Sequence, residues 1–315
     1  MPTLRDALRR QLPRGFVNRL RIGTALFRDQ AWSDGPFDNT YEWIGHTFLE
    51  LLQHSKFHAK PMYAWGVLQA AALAKVLGVP GITVIEFGVA GGAGLLAMEH
   101  CAEAAEQCTG VKIDVLGFDS GQGLPEPIDH RDQPNMWFAG QLPMDETTLR
   151  AALRRSQLII GDVSTTVTEH IGKIRYPVGF VSFDLDLYSS TRNALTLFSY
   201  DSERYLPRVS CYFDDIFGYT YNEFCGERLA IAEFNQESET RKLSPISGLK
   251  FFVPKLVANE MWVESMYFAH VFDHDNYNDP DTFNKAVITD IHGEDIRLPP
   301  QSDWKARLSP SQNGA

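Results

Sequence analysis

Short apolar runs alternate with helical segments along the middle of this chain, and this alternation constrains the fold more than any other feature. The apolar runs are predicted strands at 82–88, 112–119, 157–161, 178–184 and 208–215. The segments between and after them are predicted helices at 92–107, 145–155, 165–174, 189–200 and 226–236. Because the strands are apolar almost throughout, both of their faces are expected to be covered. Five such units predict a doubly wound α/β sheet.

The pattern also divides the chain into three predicted regions. Residues 1–59 are predicted to form an N-terminal helical extension, 60–272 the main domain and 273–315 a polar C-terminal tail. Two helices are predicted between residues 40 and 78, and the second is expected to end at Gly78. After residue 240 the pattern weakens, but "GLKFFVPKLV" and "MWVESMYFAHVF" are predicted to be late strands.

Composition and charge exclude some function classes. The chain has 29 lysines and arginines against 40 aspartates and glutamates, so a general nucleic-acid binder is not expected. No apolar run approaches the ~20 residues of a transmembrane helix. The four cysteines show neither a C-x-x-C pair nor zinc-type spacing. We therefore expect reduced thiols and a cytoplasmic location.

The first 29 residues are an exception to the acidic balance. They contain seven arginines and two aspartates, without the apolar core of a signal peptide. An amphipathic helix or a partly ordered arm is the plainer interpretation. Contact with an anionic membrane surface or with a partner is the alternative.

A glycine-rich junction, "VIEFGVAGGAGLLAM" at 84–98, joins the first predicted strand to its helix. In a doubly wound sheet, ligands bind outside the carboxyl ends of the strands, at turns of this kind. One register, with Gly92, Gly94 and Ala97 as G-x-G-x-x-A, would suit a dinucleotide. These residues lie inside the helical run rather than at the turn, so we regard this register as the weaker one.

The preferred register begins at Glu86 and Gly88 and continues through Ala90, Gly91 and Gly92. It has the acidic-x-Gly-x-Gly-x-Gly form that binds S-adenosylmethionine, with Ala90 in the second glycine position. The N–H groups of the helix would meet the ligand's carboxylate. Glu86 would favour the ligand's cationic ammonium and sulfonium groups. A tight turn that binds no ligand is the alternative.

Two more strand ends carry acids that suit a nucleoside. Asp119 ends the second strand, where a carboxylate can accept both ribose hydroxyl hydrogens. Because dinucleotide enzymes also place an acid there, Asp119 does not choose between the two ligands. Asp162 ends the third strand and could accept from an adenine amino group, or it could cap the following helix.

Further aspartates are expected at the same edge of the sheet. "VSFDLDLYSST" supplies Asp184 and Asp186, and "CYFDDIFG" supplies Asp214 and Asp215. Carboxylates at the ends of buried strands are costly unless they are paired or bind a cation. The all-oxygen set favours magnesium or calcium over zinc. The sequence therefore predicts a divalent-cation site, although Asp186 could instead cap a helix.

A cation beside a sulfonium cofactor favours methyl transfer to a hydroxyl. Chelation of two vicinal hydroxyls would lower the pKa of one of them and hold its oxygen in line with the C–S bond. The loop at 120–144 is the predicted lid and acceptor wall. It contains His130, a candidate general base whose alternative is a solvated loop histidine.

Together these motifs resemble the macrocin O-methyltransferase family. The resemblance rests on "VIEFGVAGGAG", "GFDSGQGLP", "GDVSTT", "FDLDLYSSTRNAL" and "YFDDIFG", and it covers roughly residues 60–237. It implies a Rossmann-like class I methyltransferase fold of seven strands, one of them antiparallel. It also implies dependence on S-adenosylmethionine and magnesium, and methylation of sugar hydroxyls.

The resemblance implies a role for each matching residue. Asp184, Asp214 and Asp215 match the metal ligands, Asp184 also matches a residue that assists deprotonation, and His130 lies near the place of the catalytic histidine. The predicted cofactor-binding set is Glu86, Phe87, Gly88, Val89, Ala90, Gly92, Asp119, Ser120, Asp162 and Val163. The chain departs from the family at Ala90 and Gly91, where an aromatic–arginine pair is frequent, and beyond residue 240.

These observations predict a cytoplasmic, magnesium-dependent O-methyltransferase that acts on a small hydroxylated acceptor, such as a sugar, glycan or natural product. The oligomeric state stays open, with a homo-oligomer as one alternative, whereas nucleic acid is not an expected partner. The alternatives are a metal-dependent glycosyltransferase that uses the D-x-D at 184–186, an NAD-dependent oxidoreductase, and a homologue that binds its cofactor without catalysis.

Overall fold

The computed structural model describes residues 47–52, 60–218 and 220–278, and two short strands at 288–289 and 295–296. Apart from a helical segment at 47–52, the predicted N-terminal extension lies outside the described residues. The arginine-rich start and most of the predicted tail lie outside them as well. The division of the chain into three regions therefore stays a prediction.

The alternation of strands and helices that the sequence predicts is present between residues 60 and 278. The strands are β1 (Gly81–Phe87), β2 (Lys112–Asp119), β3 (Gln157–Ile160), β4 (Val178–Phe183), β5 (Tyr205–Phe213), β6 (Arg241–Pro245) and β7 (Met266–Val271). The α-helices are α1 (Pro61–Leu77), α2 (Ala93–Thr109), α3 (Glu146–Ala152), α4 (Val163–Ile171), α5 (Tyr188–Leu195) and α6 (Gly226–Glu237).

These strands form one sheet in the order β3-β2-β1-β4-β5-β7-β6. β1 pairs in parallel with β2 and β4, and β5 extends the parallel set beside β4. β7 is antiparallel to both of its neighbours, β5 and β6. This is the seven-stranded class I methyltransferase sheet with one antiparallel strand, so the predicted fold class is confirmed.

Helices cover both faces of the sheet, which is why its central strands are apolar on both sides. Every residue of β1 and β4 is buried. Side chains of α1 and α2 form one core with one face of the sheet, and Leu149 of α3 belongs to the same core. The second core, on the other face, includes Val167 of α4, Leu195 of α5 and Phe234 of α6.

Two helix ends show how local chemistry sets the boundaries. The predicted end at Gly78 is confirmed, because Gly78 has φ 69° and its N–H donates to carbonyl groups of the last turn of α1. The helix predicted at 189–200 is shorter than expected. It ends at Leu195 and continues as a 3₁₀ turn over Thr196–Ser199.

The prediction of a strand at "GLKFFVPKLV" is wrong. The stretch forms a 3₁₀ turn at Leu249–Phe251 and further turns, and Phe251 and Phe252 are exposed. The strand beside β7 is instead β6, whose sequence "RKLSP" lacks an apolar run and was not predicted. In the last predicted strand, 261–272, the first five residues form a 3₁₀ helix and Met266–Val271 form β7.

The described helices include none with the length and apolar character that a membrane crossing would require.

Candidate cofactor and metal site

A cavity of about 700 Å³ lies at the carboxyl ends of the central strands. Its lining includes Gly88 after β1, Asp119 at the end of β2 and Asp184 after β4. The strand order reverses between β1 and β4, because β2 and β3 lie on one side and β5 on the other. Ligands of doubly wound sheets bind at such a reversal, so this cavity is the candidate functional site.

The glycine-rich junction forms the tight turn that the sequence predicts. Gly88 has φ 85°, and a Cβ atom there would lie 1.7 Å from the backbone oxygen of Asp184. Gly92 has φ 82° and is the N-cap of α2. Ala90 has φ 44°, a left-handed conformation that is costly for a residue with a side chain. The backbone therefore approaches the cavity closely, with a non-glycine residue held in a strained conformation.

Asp119 holds this turn in place. Its Oδ2 accepts hydrogen bonds from the backbone N–H groups of Val89 at 2.9 Å and Ala90 at 2.8 Å. Its Oδ1 accepts from the N–H of Gly121 at 2.7 Å. Three of the roughly four acceptor positions of the carboxylate are therefore used by the protein itself. About one acceptor position of the carboxylate stays free for a ligand. The predicted contact of Asp119 with both ribose hydroxyls stays a prediction.

Glu86 lines the cavity, and one of its carboxylate oxygens is buried without a partner among the described residues. The residue is only 1% exposed, and its Oε1 accepts a hydrogen bond from the hydroxyl of Tyr63 at 2.5 Å. Among the described residues, its buried Oε2 has no hydrogen-bond partner. Burial raises the pKa of Glu86 from 4.5 to about 7, although Lys60 and the Tyr63 hydroxyl act in the opposite direction. A cationic ligand group at Oε2 would satisfy this oxygen.

Stability is expected to depend on pH through Glu86. Because its pKa is raised from 4.5 to about 7 on folding, its contribution to stability is fully present below 4.5 and is lost as pH rises through about 7. The full shift corresponds to about 3 kcal/mol. We therefore expect the free energy of unfolding of the wild type, relative to Glu86→Gln, to fall by up to this amount between about pH 5 and about pH 8.

Urea unfolding of both proteins across that pH range tests this expectation. Gln keeps the acceptor for Tyr63 but cannot ionise, so the difference between the two proteins isolates the Glu86 carboxyl group. A difference that stays constant with pH would contradict the burial of an ionisable group at this position.

Sequence reasoning missed two residues that surround Glu86. Tyr63 is fully buried in α1, and its hydroxyl also accepts a hydrogen bond from Ser182 of β4 at 3.0 Å. Lys60 lines the cavity just before α1, with its Nζ 4.8 Å from the centre of the Tyr63 ring. Neither residue belongs to a strand-end motif, and only the tertiary packing of α1 brings them to this site.

The predicted metal ligands are brought together by the register of two strands. Phe183 of β4 pairs with Phe213 of β5, so Asp184 and Asp214 are the next residues on adjacent strands. Asp184, Asp214 and Asp215 each offer a carboxylate oxygen, and these oxygens lie within 4.8 Å of one another. An ion in their midst could therefore contact all three.

The electrostatics of this trio suit a divalent cation. Burial and then the charges of Asp214 and Asp215 raise the pKa of Asp184 well above its ordinary value. Burial and then the charge of Asp214 raise the pKa of Asp215 to about 6. Mutual repulsion of this kind is relieved by a cation with oxygen ligands. The donor set therefore fits Mg²⁺, and Asp184 is the member that also lines the cavity.

Neighbouring groups fix these carboxylates. The hydroxyl of Tyr212 donates to Oδ1 of Asp214, and the hydroxyl of Tyr221 donates to Oδ1 of Asp215 at 2.8 Å. The N–H of Asp186 donates to Oδ2 of Asp215 at 3.1 Å. Asp186 has φ 60° and is buried in the lining of the cavity. Asp186 therefore orients the trio through its backbone and adds a fourth carboxyl group to the site.

The predicted lid, 120–144, lies against the cavity and is fastened to α5. Gln122–Glu126, Ile128 and Leu142 line the cavity. Asp132 is 1% exposed, and its carboxylate accepts from the N–H of Ser189 at 2.7 Å and of Ile128 at 2.9 Å. This buried acid therefore ties the lid to the first turn of α5. Its sequence neighbours gave no sign of this role.

Two predicted site residues, His130 and Phe87, do not line the cavity, and for Asp162 both stated alternatives have support. The side chain of His130 is 85% exposed, and His130 does not line the cavity, so its role as a base has no geometric support. Phe87 packs in the core beside Phe118 and Phe183. Asp162 caps α4, with Oδ1 accepting from the N–H of Ser164, while it also lines the cavity. Val163 and Ser120 line the cavity, as predicted for cofactor contacts.

Comparison with known proteins gives similarities of structure alone. No protein-family model and no curated protein matches the chain. The structure is similar to the calicheamicin methyltransferase CalS11, with a TM-score of 0.44 and 22% identity, over 68% of this chain and 90% of that one. It is also similar to the O-methyltransferase NovP, with a TM-score of 0.43 and 17% identity, over 68% and 81% of the chains. A third similar structure is the O-methyltransferase from Bacillus cereus in complex with SAH, with a TM-score of 0.32 and 15% identity, over 71% and 91% of the chains.

Proposed function

We propose that this protein is an S-adenosylmethionine-dependent, Mg²⁺-dependent O-methyltransferase that acts on a hydroxyl of a small acceptor. The observation that carries the proposal is the position of Asp184. This residue belongs to the carboxylate trio and also lines the cavity at the glycine-rich turn. A cation held by the trio would therefore lie beside a ligand bound at that turn.

The polar groups of the cavity suit the amino-acid end of the cofactor. The unpartnered Oε2 of Glu86 would accept from the ammonium group. Lys60 lines the same cavity and forms no ion pair within the described part of the chain, so its ammonium would meet the carboxylate. Asp119 would hold the ribose through its remaining acceptor position, and Asp162 and Val163 would contact the adenine.

The chain's own carboxylates would hold and orient the acceptor. When bound, the cation would lower the pKa of the acceptor hydroxyl. Asp184, Asp214 and Asp215 would hold this cation, and a hydroxyl bound to it would be positioned for methyl transfer. Asp184 and Asp186 both line the cavity, so a carboxylate oxygen of either can receive the hydroxyl proton.

The lid would exclude water from the reacting groups. Leu124, Pro125 and Ile128 place apolar groups in the wall of the cavity. The contacts of Asp132 hold this part of the loop against α5. A cavity of about 700 Å³ is in the ordinary range for a small-molecule site. This volume is compatible with the cofactor and a small acceptor, for which a sugar, glycan or natural product is our proposal. A cytoplasmic location is proposed from the cysteine pattern of the sequence and not from the cavity.

Calorimetry and a methyl-transfer assay test the proposed function. We expect S-adenosylhomocysteine and Mn²⁺ to bind the purified protein, each measured by isothermal titration. We also expect a labelled methyl group to pass from S-adenosylmethionine to a pool of hydroxylated acceptors, and a chelator to stop this transfer. Binding of a UDP-sugar or of NAD instead would favour a glycosyltransferase or an oxidoreductase. Cofactor binding without transfer to any acceptor would favour a non-catalytic homologue.

Replacing Lys60 with methionine is expected to weaken S-adenosylhomocysteine binding by about tenfold or more, because one charge-assisted hydrogen bond to the ligand carboxylate is lost. A ligand analogue without the carboxylate should bind the wild type and Lys60→Met equally. Lys112→Met is the matched control, since Lys112 is exposed at the opposite end of β2 from Asp119. A loss of affinity that is the same for both ligands would contradict this contact.

A further inference from the structure

Glu227 is a buried carboxyl group at the edge of the site that no motif indicated. It lies in the first turn of α6 and is 0% exposed. Among the described residues, its Oε1 has no hydrogen-bond partner. Burying a carboxyl group with one oxygen unpartnered is unfavourable unless its other contacts compensate. The contacts of Glu227 therefore need an explanation.

The other oxygen of Glu227 contacts the backbone of a predicted metal ligand. Oε2 accepts a hydrogen bond from the N–H of Asp215 at 3.0 Å. Asp215 is the second residue after β5 ends at Phe213, at the point where the chain leaves the sheet. Residues that hydrogen-bond to a metal ligand without contacting the metal contribute strongly to metal affinity. Glu227 occupies such a position.

Glu227 completes the set of contacts that hold Asp215. The two carboxylate oxygens of Asp215 accept from the hydroxyl of Tyr221 and from the N–H of Asp186. Those two contacts orient the side chain, whereas the contact with Glu227 fixes the peptide that joins Asp214 to Asp215. If this peptide turned, both carboxylates would move relative to Asp184.

We infer that Glu227 is a positioning residue for the cation site. By accepting from the N–H of Asp215, it holds Asp214 and Asp215 where their oxygens lie within 4.8 Å of that of Asp184. The inference rests on the proposed function, because it concerns the same cation. In this role Glu227 maintains the positions of Asp214 and Asp215 and does not contact the ion itself.

Two substitutions separate the position of the acceptor oxygen from the ionisable carboxyl group. Glu227→Gln leaves an acceptor oxygen at the same distance along the side chain and cannot ionise. Glu227→Asp keeps a carboxyl group but shortens the side chain by one methylene, which withdraws the oxygen from the N–H of Asp215. Glu237→Gln is the matched control, because Glu237 is exposed at the last residue of α6.

The test is the affinity for Mn²⁺ alone, measured by calorimetry on the full chain, with urea unfolding to check that each variant is folded. We expect Glu227→Gln and the control to bind within about threefold of the wild type, and Glu227→Asp to bind about 10–100-fold more weakly.

The opposite pattern, with Glu227→Asp near the wild type and Glu227→Gln weak, would overturn the inference and indicate a role for charge alone. Wild-type affinity in both variants would overturn it as well. In either case Mn²⁺ binding by the wild type would leave the proposed function standing. A wild type that binds no Mn²⁺ would instead reject the cation site itself, and the inference with it.

Discussion

Replacing Asp214 with asparagine is expected to abolish cation-dependent turnover and to leave S-adenosylhomocysteine affinity nearly unchanged. Asparagine keeps the shape of the side chain and an oxygen that can accept from Tyr212. It removes one of three charges that converge within 4.8 Å. Since the loss of a supporting residue behind a metal ligand costs about 10–100-fold in metal affinity, the loss of a ligand charge should cost about 100-fold or more.

The control for this substitution lies at the other end of the same strand. Asp201 is exposed shortly before β5 begins at Tyr205, whereas Asp214 follows its end. Asp201→Asn removes the same charge from the chain without touching the cavity, so its Mn²⁺ affinity and turnover should match the wild type. Unchanged turnover of Asp214→Asn, or of the wild type in the presence of a chelator, would contradict the metal role.

The parallel strands of the sheet and the position of Asp184, Asp214 and Asp215 were predictable from the sequence for the same physical reason. A strand covered on both faces is mostly apolar, so β1 and β4 stand out as nearly continuous apolar runs. An aspartate that ends such a run must lie at the carboxyl edge of the sheet. Adjacent parallel strands then place Asp184 beside Asp214. The convergence thus depends on local pattern and on strand order alone.

The residues that contact the site carboxylates from the surrounding helices were not predictable in this way. Tyr63 reaches Glu86 from 23 positions away, and Glu227 reaches Asp215 from 12 positions away. Lys60 precedes a helix whose packing on the sheet the sequence does not specify. Each of these contacts depends on how a helix lies on the sheet, and no local spacing encodes that arrangement.

Capping explains why one strand-end acid was ambiguous. Asp162 satisfies the first turn of α4 through its contact with Ser164 and lines the cavity as well. The same carboxylate can cap a helix and contact a ligand, so its position in the sequence did not decide between these two roles.

His130 shows a different limit of the sequence analysis. Residues of its loop line the cavity as predicted, but the side chain of His130 is 85% exposed and His130 itself does not line the cavity.

Gly88→Ala is expected to destabilise the protein by about 3 kcal/mol or more, because a left-handed alanine costs about 1–2 kcal/mol and overpacking adds about 1–3 kcal/mol. The added Cβ would lie 1.7 Å from the backbone oxygen of Asp184, which belongs to the neighbouring strand end and cannot rotate away. The N–H of Asp184 donates to the carbonyl of Phe87 at 3.0 Å, so a shift there would also disturb the link between β1 and β4.

Gly91→Ala is the matched control within the same turn. A Cβ atom at Gly91 would meet nothing within 4 Å, and Gly91 is not among the residues with positive φ. Its free energy of unfolding in urea should therefore stay within about 0.5 kcal/mol of the wild type. Because Gly88 lines the cavity and lies against the backbone of Asp184, Gly88→Ala should also lose S-adenosylhomocysteine binding and weaken Mn²⁺ binding. Wild-type stability of both variants would contradict the close approach of Gly88 to the backbone of Asp184. It would also contradict the arrangement in which the glycine-rich turn and Asp184 line one cavity, on which the proposed chemistry depends.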